Sequence, residues 1–239
     1  MVQLRVYDKQ GNTLASFTSS VRNGRIDYLG GGNYILVDNT GIDQFTIVGA
    51  TTKLVRTLVA SWAVGDAARG VTMQRRMLLG DVEDSLDQEG QAILVGMETT
   101  VGGLPAYTLR QYELSSAALL AETTLVTPSV SVWGDIATNG QHFYMAHTDT
   151  ALPTAQKRIT MFALSGATVT QLVSWIVTTM PVGMCHDGLY LWAIEGSNAI
   201  QYEQIGVAAP VQVNSFALTG LTISGICTDG QNLIVLSRT

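Results

Sequence analysis

The chain has 239 residues, of which 46% are hydrophobic and 13% charged, so it is long enough to bury a large core. Its formal charge of -6 argues against nucleic acid as the main partner, since nucleic-acid-binding domains usually carry a basic stripe. The sequence has no apolar run as long as a membrane-spanning helix, no signal-peptide core and only two cysteines. These features predict a soluble protein with neither a membrane anchor nor a disulfide framework.

The N-terminal segments "QLRVYDKQGN" and "TLASFTSS" predict two β-strands between Val2 and Ser20, because both are short β-rich runs separated by turn residues. Five later segments share one pattern, in which an apolar stretch, a glycine turn and a β-rich run follow one another. They are "RIDYLGGGNYILV", "DSLDQEGQAILV", "GDIATNGQHFYMA", "GMCHDGLYLWAI" and "GICTDGQNLIVL". The pattern predicts a repeated hairpin.

The aligned glycines of these segments are Gly31, Gly90, Gly140, Gly188 and Gly230, at spacings of 59, 50, 48 and 42 residues. Repeats of roughly 40 to 50 residues with several strands each are typical of β-propeller blades. On this pattern the chain resembles the β-propeller superfamily, in which one blade is commonly shared between the two chain ends.

The third repeat divides into four strands, "SVWGDIATNG", "QHFYMAHTD", "KRITMFALSG" and "TVTQLVSWIV". The last repeat, "ICTDGQNLIVLSRT", supplies only two strands, and the N-terminal segments supply two more. The sequence therefore predicts an all-β fold. It is a five-bladed β-propeller of four-stranded antiparallel blades, closed by the N-terminal strands pairing with the C-terminal hairpin.

We expect a single domain over residues 1-239. Its fifth blade is shared between about 1-22 and 220-239, and the other blades span about 23-62, 85-127, 128-178 and 179-219. The segment "AVGDAARGVTMQRRMLLGDVED", over about 63-84, is interpreted as an insertion that precedes the second blade.

Loop length predicts which face of the ring is functional. The glycine turns belong to one face, whereas the insertion and two loops, "ETTVGGLPA" and "TDTALPTAQ", are expected to share the other face. Long loops on a rigid scaffold commonly carry binding residues. The predicted interaction face comprises Arg69, Arg75, Arg76, Asp81, Glu83, Asp84, Tyr107 and Asp149.

The acidic residues near the insertion allow two interpretations, a docking or calcium site and the solvated charge of a long loop. They are Asp81, Glu83, Asp84, Asp87 and Glu89. Because the spacing of an EF-hand loop is absent, we predict no metal, and we predict no other cofactor.

The histidines and cysteines give no catalytic pattern. His142 and His147 are five residues apart on a predicted strand, and this odd spacing directs them to opposite faces of the sheet. His186 stands beside Cys185 in the sequence, but Cys185 and Cys227 both lie three residues before their glycine. Their equivalent positions favour buried thiols near the ring centre over a catalytic Cys-His pair.

Glycoside hydrolysis is the enzyme alternative, because five-bladed propellers resembling this one include glycoside hydrolases with carboxylates near the axis. The candidates here are Asp27, Asp84 and Asp135, but they lie four, six and five residues before their glycines. A carbohydrate-binding propeller is the other alternative. Trp62, Trp133, Trp175 and Trp192 are not in equivalent positions, however, which favours packing between blades over a repeated sugar site.

The composition and repeat pattern of the sequence are similar to those of propeller-bearing tail nozzle and tail-tip proteins of tailed bacteriophages. It is rich in Thr, Val and Gly and carries loose Asp-Gly repeats. The resemblance implies a non-enzymatic structural protein of the virion, whose partners are neighbouring protein subunits. A cytoplasmic protein, with no membrane or nucleic-acid partner, is the alternative localisation.

Overall fold

A computed structural model describes residues 2–19, 23–63, 66–74, 92–101, 104–125, 130–150, 154–165, 168–206 and 208–238. Over these residues the chain forms twenty β-strands and no helix. None of the described segments is therefore a helix long and apolar enough to cross a membrane.

The strands follow one another along the chain at nearly regular intervals. They are β1 (Val2–Tyr7), β2 (Thr13–Ser19), β3 (Arg25–Gly30), β4 (Asn33–Asp38), β5 (Gly41–Val48), β6 (Thr51–Val59), β7 (Ala67–Gln74), β8 (Ala92–Val101), β9 (Leu104–Glu113), β10 (Leu119–Leu125), β11 (Val130–Thr138), β12 (His142–Asp149), β13 (Gln156–Ser165), β14 (Thr168–Ile176), β15 (Pro181–His186), β16 (Tyr190–Glu195), β17 (Asn198–Glu203), β18 (Val211–Ala217), β19 (Thr222–Thr228) and β20 (Leu233–Arg238).

Hydrogen bonding groups the strands into antiparallel sets of four, which we call quartets. Quartets 1 to 4 are β3–β6, β7–β10, β11–β14 and β15–β18, and quartet 5 is β19, β20, β1 and β2. The first strands of the quartets, β3, β7, β11, β15 and β19, contact one another in a closed cycle. These inner strands therefore surround a central axis.

The hydrophobic core lies between the quartets as five separate clusters, each made by two neighbouring quartets. Trp133 packs in the cluster between quartets 2 and 3, and Trp175 in the cluster between quartets 3 and 4. Trp192 packs between quartets 4 and 5, and Trp62 packs against the cluster of quartets 1 and 2. The tryptophans thus serve packing between neighbouring quartets, as the sequence predicts.

The two chain ends pair as expected. Strand β1 is antiparallel to β20, with Val2 opposite Arg238 and Tyr7 opposite Leu233, and this pairing buries Leu4 completely. One detail differs from separate blades, since a single parallel bridge between Thr18 and Thr51 links β2 to β6. Quartets 5 and 1 consequently form one eight-stranded sheet.

Close approach of the inner strands depends on glycine. A Cβ atom at Gly70 would lie 2.4 Å from Asp135 Oδ1, and one at Gly225 would lie 3.0 Å from the Gly24 carbonyl oxygen. Gly183 similarly approaches the backbone nitrogen of Ile226. Any larger side chain at these positions would push neighbouring inner strands apart.

The predicted insertion over 63-84 is wrong in position. Ala67–Gln74 is the first strand of quartet 2, because it pairs with β8 from Ala67 opposite Glu98 to Gln74 opposite Ala92. The long connection is therefore residues 75–91, which lie outside the described residues and join the first strand to the second. The predicted long loop "ETTVGGLPA" is also wrong, because β8 and β9 pair as far as Val101 opposite Leu104.

Candidate functional site

A cavity of about 390 Å³ lies on the axis, where the inner strands end, and we call it the axial pocket. Its lining residues are Asp27, Tyr28, Thr72, Thr138, Asn139, Gly140, His186, Asp187, Gly188, Thr228, Asp229 and Gly230. They come from all five inner strands and from the turns that follow three of them. The face that carries these turns, together with the turns between third and fourth strands, is the pocket face.

Three turns of the pocket face are built alike around an Asp or Asn side chain. Asp187 Oδ1 accepts the backbone N–H groups of Leu189 and Tyr190, at 2.9 and 2.8 Å. Asp229 Oδ1 accepts two N–H groups in the same way, and so does Asn139 Oδ1. The side chain replaces backbone partners that a tight turn lacks, so these residues act first as turn formers.

The residue that precedes each of these Asp or Asn residues also stabilises the turn. Thr138 and Thr228 accept the backbone N–H of Gly140 and Gly230 through Oγ1, each at 3.0 Å. His186 takes the same place, since its Nδ1 accepts the N–H of Gly188 at 3.0 Å. The three glycines have φ between 88° and 97°, a region that favours glycine.

His186 is neutral at pH 7 and makes no pair with Cys185. Its Nδ1 accepts a hydrogen bond, its ring stacks on Tyr144 at 5.7 Å, and burial lowers its pKa to about 4. Cys185 and Cys227 are both buried free thiols, and burial raises the pKa of each well above its ordinary value. A thiolate nucleophile activated by His186 is therefore not the chemistry of this site.

Asp187 is a carboxylate of the axial pocket that several groups hold in place. Its Oδ2 bonds Lys9 Nζ at 2.6 Å and accepts Trp192 Nε1–H at 3.1 Å. Burial raises the pKa of Asp187, but the hydrogen bonds from Lys9, Tyr190, Leu189 and Trp192 outweigh it and lower the pKa. Because Lys9 belongs to the β1–β2 turn, this ion pair also fastens quartet 5 to quartet 4.

The opposite end of the axis is closed by Arg25. Its Nε donates to the carbonyl oxygen of Arg69 at 2.9 Å, and its Nη1 donates to those of Ser224, at 2.5 Å, and Val182. One guanidinium of β3 thus binds carbonyl groups of β7, β15 and β19. We call the face at this end the Arg25 face.

Asp135 lies between the two ends of the axis and is 1% exposed. Its Oδ1 accepts the N–H of Ile136 and its Oδ2 accepts the N–H of Met184, each at 2.9 Å. Burial raises the pKa of Asp135 to about 7, although Arg25 and the two N–H groups act against this rise. Asp135 therefore faces backbone groups, whereas Asp27 lines the axial pocket and Asp84 lies outside the described residues.

The predicted interaction face is not assembled among the described residues. Arg75, Arg76, Asp81, Glu83 and Asp84, like Asp87 and Glu89, fall in the undescribed segment 75–91. Arg69 lies on β7 and donates from Nε to Glu98 Oε2 at 2.7 Å. Tyr107 is completely buried on β9, so its assignment to an exposed loop is wrong. Asp149 ends β12 opposite Val130, at the Arg25 face.

His147 is buried, and its ring is hydrogen-bonded to a hydroxyl group. It is 7% exposed on β12, and its Nε2 lies 2.7 Å from Thr160 Oγ1. Burial lowers the pKa of His147 to about 4. Over the described ranges, no group of three or more His, Cys, Asp or Glu side chains is placed to hold a metal ion.

The axial pocket was missed in the sequence because its residues looked like ordinary turn formers. A usable signal existed in the alignment, since the residues one and two before each glycine are Asn139 and Thr138, Asp187 and His186, Asp229 and Thr228. Polar side chains at equivalent places in a closed ring converge on the axis. Inner-strand ends, rather than loop length, would have predicted this site.

No protein-family model matches the chain, and no curated protein matches it in sequence. Among solved structures, the chain is similar to hydrazine synthase of Kuenenia stuttgartiensis, with a TM-score of 0.53 and 15% identity over 95% of this chain and 72% of that chain. It is also similar to regucalcin, a calcium-binding protein from Agrobacterium tumefaciens, with a TM-score of 0.51 and 12% identity over 94% and 70% of the two chains.

The β-propeller domain of Nup133 from Vanderwaltozyma polyspora aligns with a TM-score of 0.47 and 8% identity over 94% of this chain and 74% of that chain. At these identities the likenesses concern the fold alone. The closed cycle of four-stranded quartets by itself indicates a β-propeller architecture, as the repeats predict.

Proposed function

We propose that the chain is a non-enzymatic, five-bladed β-propeller that serves as an interaction subunit of a larger protein assembly. The five clusters between neighbouring quartets support the blade number, since each quartet then corresponds to one blade. The composition and the loose Asp-Gly repeats favour a bacteriophage virion tail as the setting. In this proposal the ring is a stiff disc that docks on a neighbouring subunit through one face.

The distribution of exposed apolar side chains carries the proposal. Within the described part of the chain, eight of the twelve exposed large hydrophobic residues lie in or beside turns of the pocket face, namely Leu14, Val48, Leu119, Leu120, Leu189, Ile205, Val211 and Val213. Leu189 and Ile205 are 74% and 70% exposed. Apolar side chains gathered on one face of a folded chain typically mark a surface that another protein covers.

The docking surface is accordingly the pocket face, opposite to the one expected from loop length. Strand β7 ends and β8 begins at this same face, where Gln74 lies opposite Ala92. Asp229 is exposed at the rim of the axial pocket on this face.

The engagement of the carboxylates supports a non-enzymatic role. Glycoside hydrolysis needs an acid and a second carboxylate on either side of a substrate. Asp187 and Asp229 hold turns through their carboxyl oxygens, and Asp135 is buried against the N–H groups of Ile136 and Met184. Binding through the surface requires no change in any of these contacts.

Co-expression with the products of the genes that neighbour its own gene tests the docking role. We expect one product to co-purify as a defined complex, and the double variant Leu189→Asp/Val211→Asp to weaken that complex at least about tenfold. The matched control is Val132→Asp/Ile176→Asp, because Val132 and Ile176 are 51% and 60% exposed on the Arg25 face.

The result that contradicts the proposal is loss of the complex in the control variant with retention in the pocket-face variant. Glycoside hydrolysis by the purified chain would also contradict it. Thermal unfolding of both variants must match that of the parent chain, since each substitution replaces an exposed side chain.

A further inference from the structure

We propose that Asn23 is a site of spontaneous deamidation, through which the Arg25 face gains a carboxylate as the protein ages. The reaction needs only the Asn23 side chain, the backbone nitrogen of Gly24 and water. Because the proposed docking surface lies on the opposite face, the reaction is independent of the docking role.

An asparagine that precedes glycine is well suited to this reaction, because glycine has no side chain to hinder attack by its backbone nitrogen. The sequence contains two such pairs, Asn23-Gly24 and Asn139-Gly140. The fold requires glycine at position 24, since a Cβ atom there would lie 2.3 Å from the carbonyl oxygen of Val37. The surroundings of each pair therefore decide which asparagine reacts.

The reaction proceeds through a five-membered ring. The backbone nitrogen of Gly24 forms a bond to Cγ of Asn23, and the Cγ–Nδ2 bond breaks. The amide nitrogen leaves as ammonia, taking up the proton that Gly24 loses. Water then opens the succinimide ring at the side-chain carbonyl, which yields aspartate, or at the backbone carbonyl, which yields isoaspartate. One water replaces one ammonia, so no oxidant or reductant takes part.

Asn139 is held against this attack. Its Oδ1 accepts two backbone N–H groups, at 3.0 and 2.8 Å, and its Nδ2 donates to the Tyr144 hydroxyl at 3.2 Å. The N–H of Gly140 donates to Thr138 Oγ1 at 3.0 Å. Ring closure would break these bonds. The two Asp-Gly turns of the pocket face are fixed by bonds of the same kind.

Asn23 is not held in this way. It lies just before β3, and its Oδ1 is buried without a hydrogen-bond donor among the described residues. A buried acceptor without a donor is unfavourable. Turning the amide so that Cγ meets the Gly24 nitrogen therefore costs no hydrogen bond at Oδ1.

A cavity of about 200 Å³ at the Arg25 face supplies room and water for the reaction. Its lining includes Asn23, Gly24, Arg25, Asp38 and Arg69. A water molecule takes up about 30 Å³ in the liquid, so the cavity can hold several. Water can thus reach the succinimide while the chain stays folded.

The carboxylate that results is formed beside Arg25. The described hydrogen bonds of Arg25 all go to uncharged carbonyl oxygens of neighbouring inner strands. Arg69 is already paired with Glu98, and Asp38 lines the same cavity, so Arg25 is the cation that can face the new carboxylate. The reaction thereby adds one negative charge to the Arg25 face.

Deamidation of the intact chain tests the inference, with Asn139 as the internal control. The purified chain is kept folded at mildly alkaline pH and digested at intervals, and the peptides that carry Asn23 and Asn139 are quantified by mass spectrometry. We expect the deamidated form to accumulate at least about tenfold faster at Asn23 than at Asn139. In denaturant the two sites should react at similar rates, since both are then Asn-Gly pairs of an unfolded chain.

Two further measurements identify the route. Only ring opening yields isoaspartate, so labelling with an isoaspartyl methyltransferase should locate isoaspartate at position 23. Asn23→Gln keeps an amide in the cavity but lengthens the side chain by one methylene, which disfavours ring closure. The acidic form seen by ion exchange should therefore no longer accumulate. Asn39→Gln is the matched control, because Asn39 lines the same cavity but precedes threonine, and it should leave the accumulation unchanged.

Equal rates at Asn23 and Asn139 in the folded chain, whether both slow or both fast, would overturn the inference. Aspartate without isoaspartate at position 23 would also overturn it, because direct hydrolysis of the amide needs no attack by Gly24. Accumulation of the same acidic form in the Asn23→Gln variant would place the reaction at another residue.

Discussion

The two ends of the central axis are made by the same five strands, yet one end is open and the other is closed. At the pocket face, short polar side chains bind the backbone of their own turns and leave a cavity of about 390 Å³. At the Arg25 face, one long side chain binds carbonyl groups of three neighbouring inner strands. The length of the side chains, more than the geometry of the strands, decides whether an end of the axis is closed by the chain's own residues or left open.

The difference originates at one equivalent position. The inner-strand residues Ile26, Val71, Ile136, Met184 and Ile226 each enter a different cluster, and the residues before them are Arg25, Gly70, Asp135, Gly183 and Gly225. Three glycines let the strands approach, and an arginine and an aspartate fill the space that remains. The ring is therefore nearly regular in its backbone and irregular in the polar side chains at this position.

Replacing Arg25, which closes the axis at the Arg25 face, should have the largest effect on stability. Arg25→Met keeps the aliphatic stem but leaves the carbonyls of Arg69, Val182 and Ser224 without their donor. We expect a loss of about 3 kcal/mol in the free energy of unfolding, measured by chemical denaturation at pH 7. Arg238→Met, at the exposed end of β20, is the control and should change little. Equal midpoints for the two variants would show that Arg25 does not hold the inner strands together.

The contribution of Asp135, in the middle of the axis, to stability should depend on pH. Burial raises the pKa of Asp135 to about 7 from the ordinary value of 3.8, so folding favours its neutral form. As pH rises, the Asp135 carboxyl therefore ionises in the unfolded chain at a lower pH than in the folded chain. The stability that Asp135 contributes is present at low pH and is lost between about pH 4 and 7. The loss is as much as about 4 kcal/mol.

Asp135→Asn removes this titration and should abolish the corresponding slope. Denaturation of both proteins from pH 4.5 to 8 should show the stability of the parent chain, relative to the variant, falling as pH rises. The pKa values of His147 and His186, lowered to about 4 by burial, give an opposite trend that the two proteins share. A constant difference across the series would contradict the buried, neutral state of Asp135.

The smallest effect on stability is expected at the open end of the axis, which holds the axial pocket. His186→Thr restores the residue that Thr138 and Thr228 supply in the equivalent turns, so the bond from the Gly188 N–H is kept. We expect stability within about 1 kcal/mol of the parent at pH 7.5, since only the stacking on Tyr144 is lost.

Below pH 6.5 the same variant should lose less stability than the parent. A histidine with a folded pKa of about 4 favours the unfolded chain once that chain binds protons near pH 6.5. Thr138→Val is the control, because it removes the turn bond without removing an ionisable group. If His186→Thr and the parent lose stability in parallel with acid, His186 is not buried in its neutral form.

Local turn chemistry carried most of the fold prediction. Asp229-Gly230 and Asp187-Gly188 mark hairpins whose strands the structure reproduces, and the pairing of β1 with β20 follows from the two incomplete repeats. Such features depend on a few neighbouring residues, so a single sequence reveals them.

The prediction of the first strand of the second repeat was wrong, because alignment on Gly90 assigned that strand to residues that follow β7 in the sequence. The segment "ARGVTMQ" contains Gly70, which corresponds to Gly183 in "PVGMCH" and Gly225 in "ISGICT". That glycine marks the inner strand because neighbouring inner strands touch there. The contact is a property of the closed ring, and the sequence shows it only after the strands are placed.

The candidate site was less predictable for the same reason. Tyr107 looked exposed beside Gly and Pro, but pairing of β8 with β9 carries it into the cluster of quartets 2 and 3. The lining of the axial pocket comes from residues as far apart as Asp27 and Asp229. Only ring closure brings them together, and no local pattern encodes that distance.

The position of β1 between β2 and β20 also sets the order of events during synthesis. The β1–β2 hairpin is made first, but the edge that receives β20 stays unpaired until Leu233–Arg238 has left the ribosome. A contact between residues so distant in sequence forms slowly. Completion of the ring thus has to wait for β20, and in the folded chain the Lys9–Asp187 pair joins the β1–β2 turn to quartet 4.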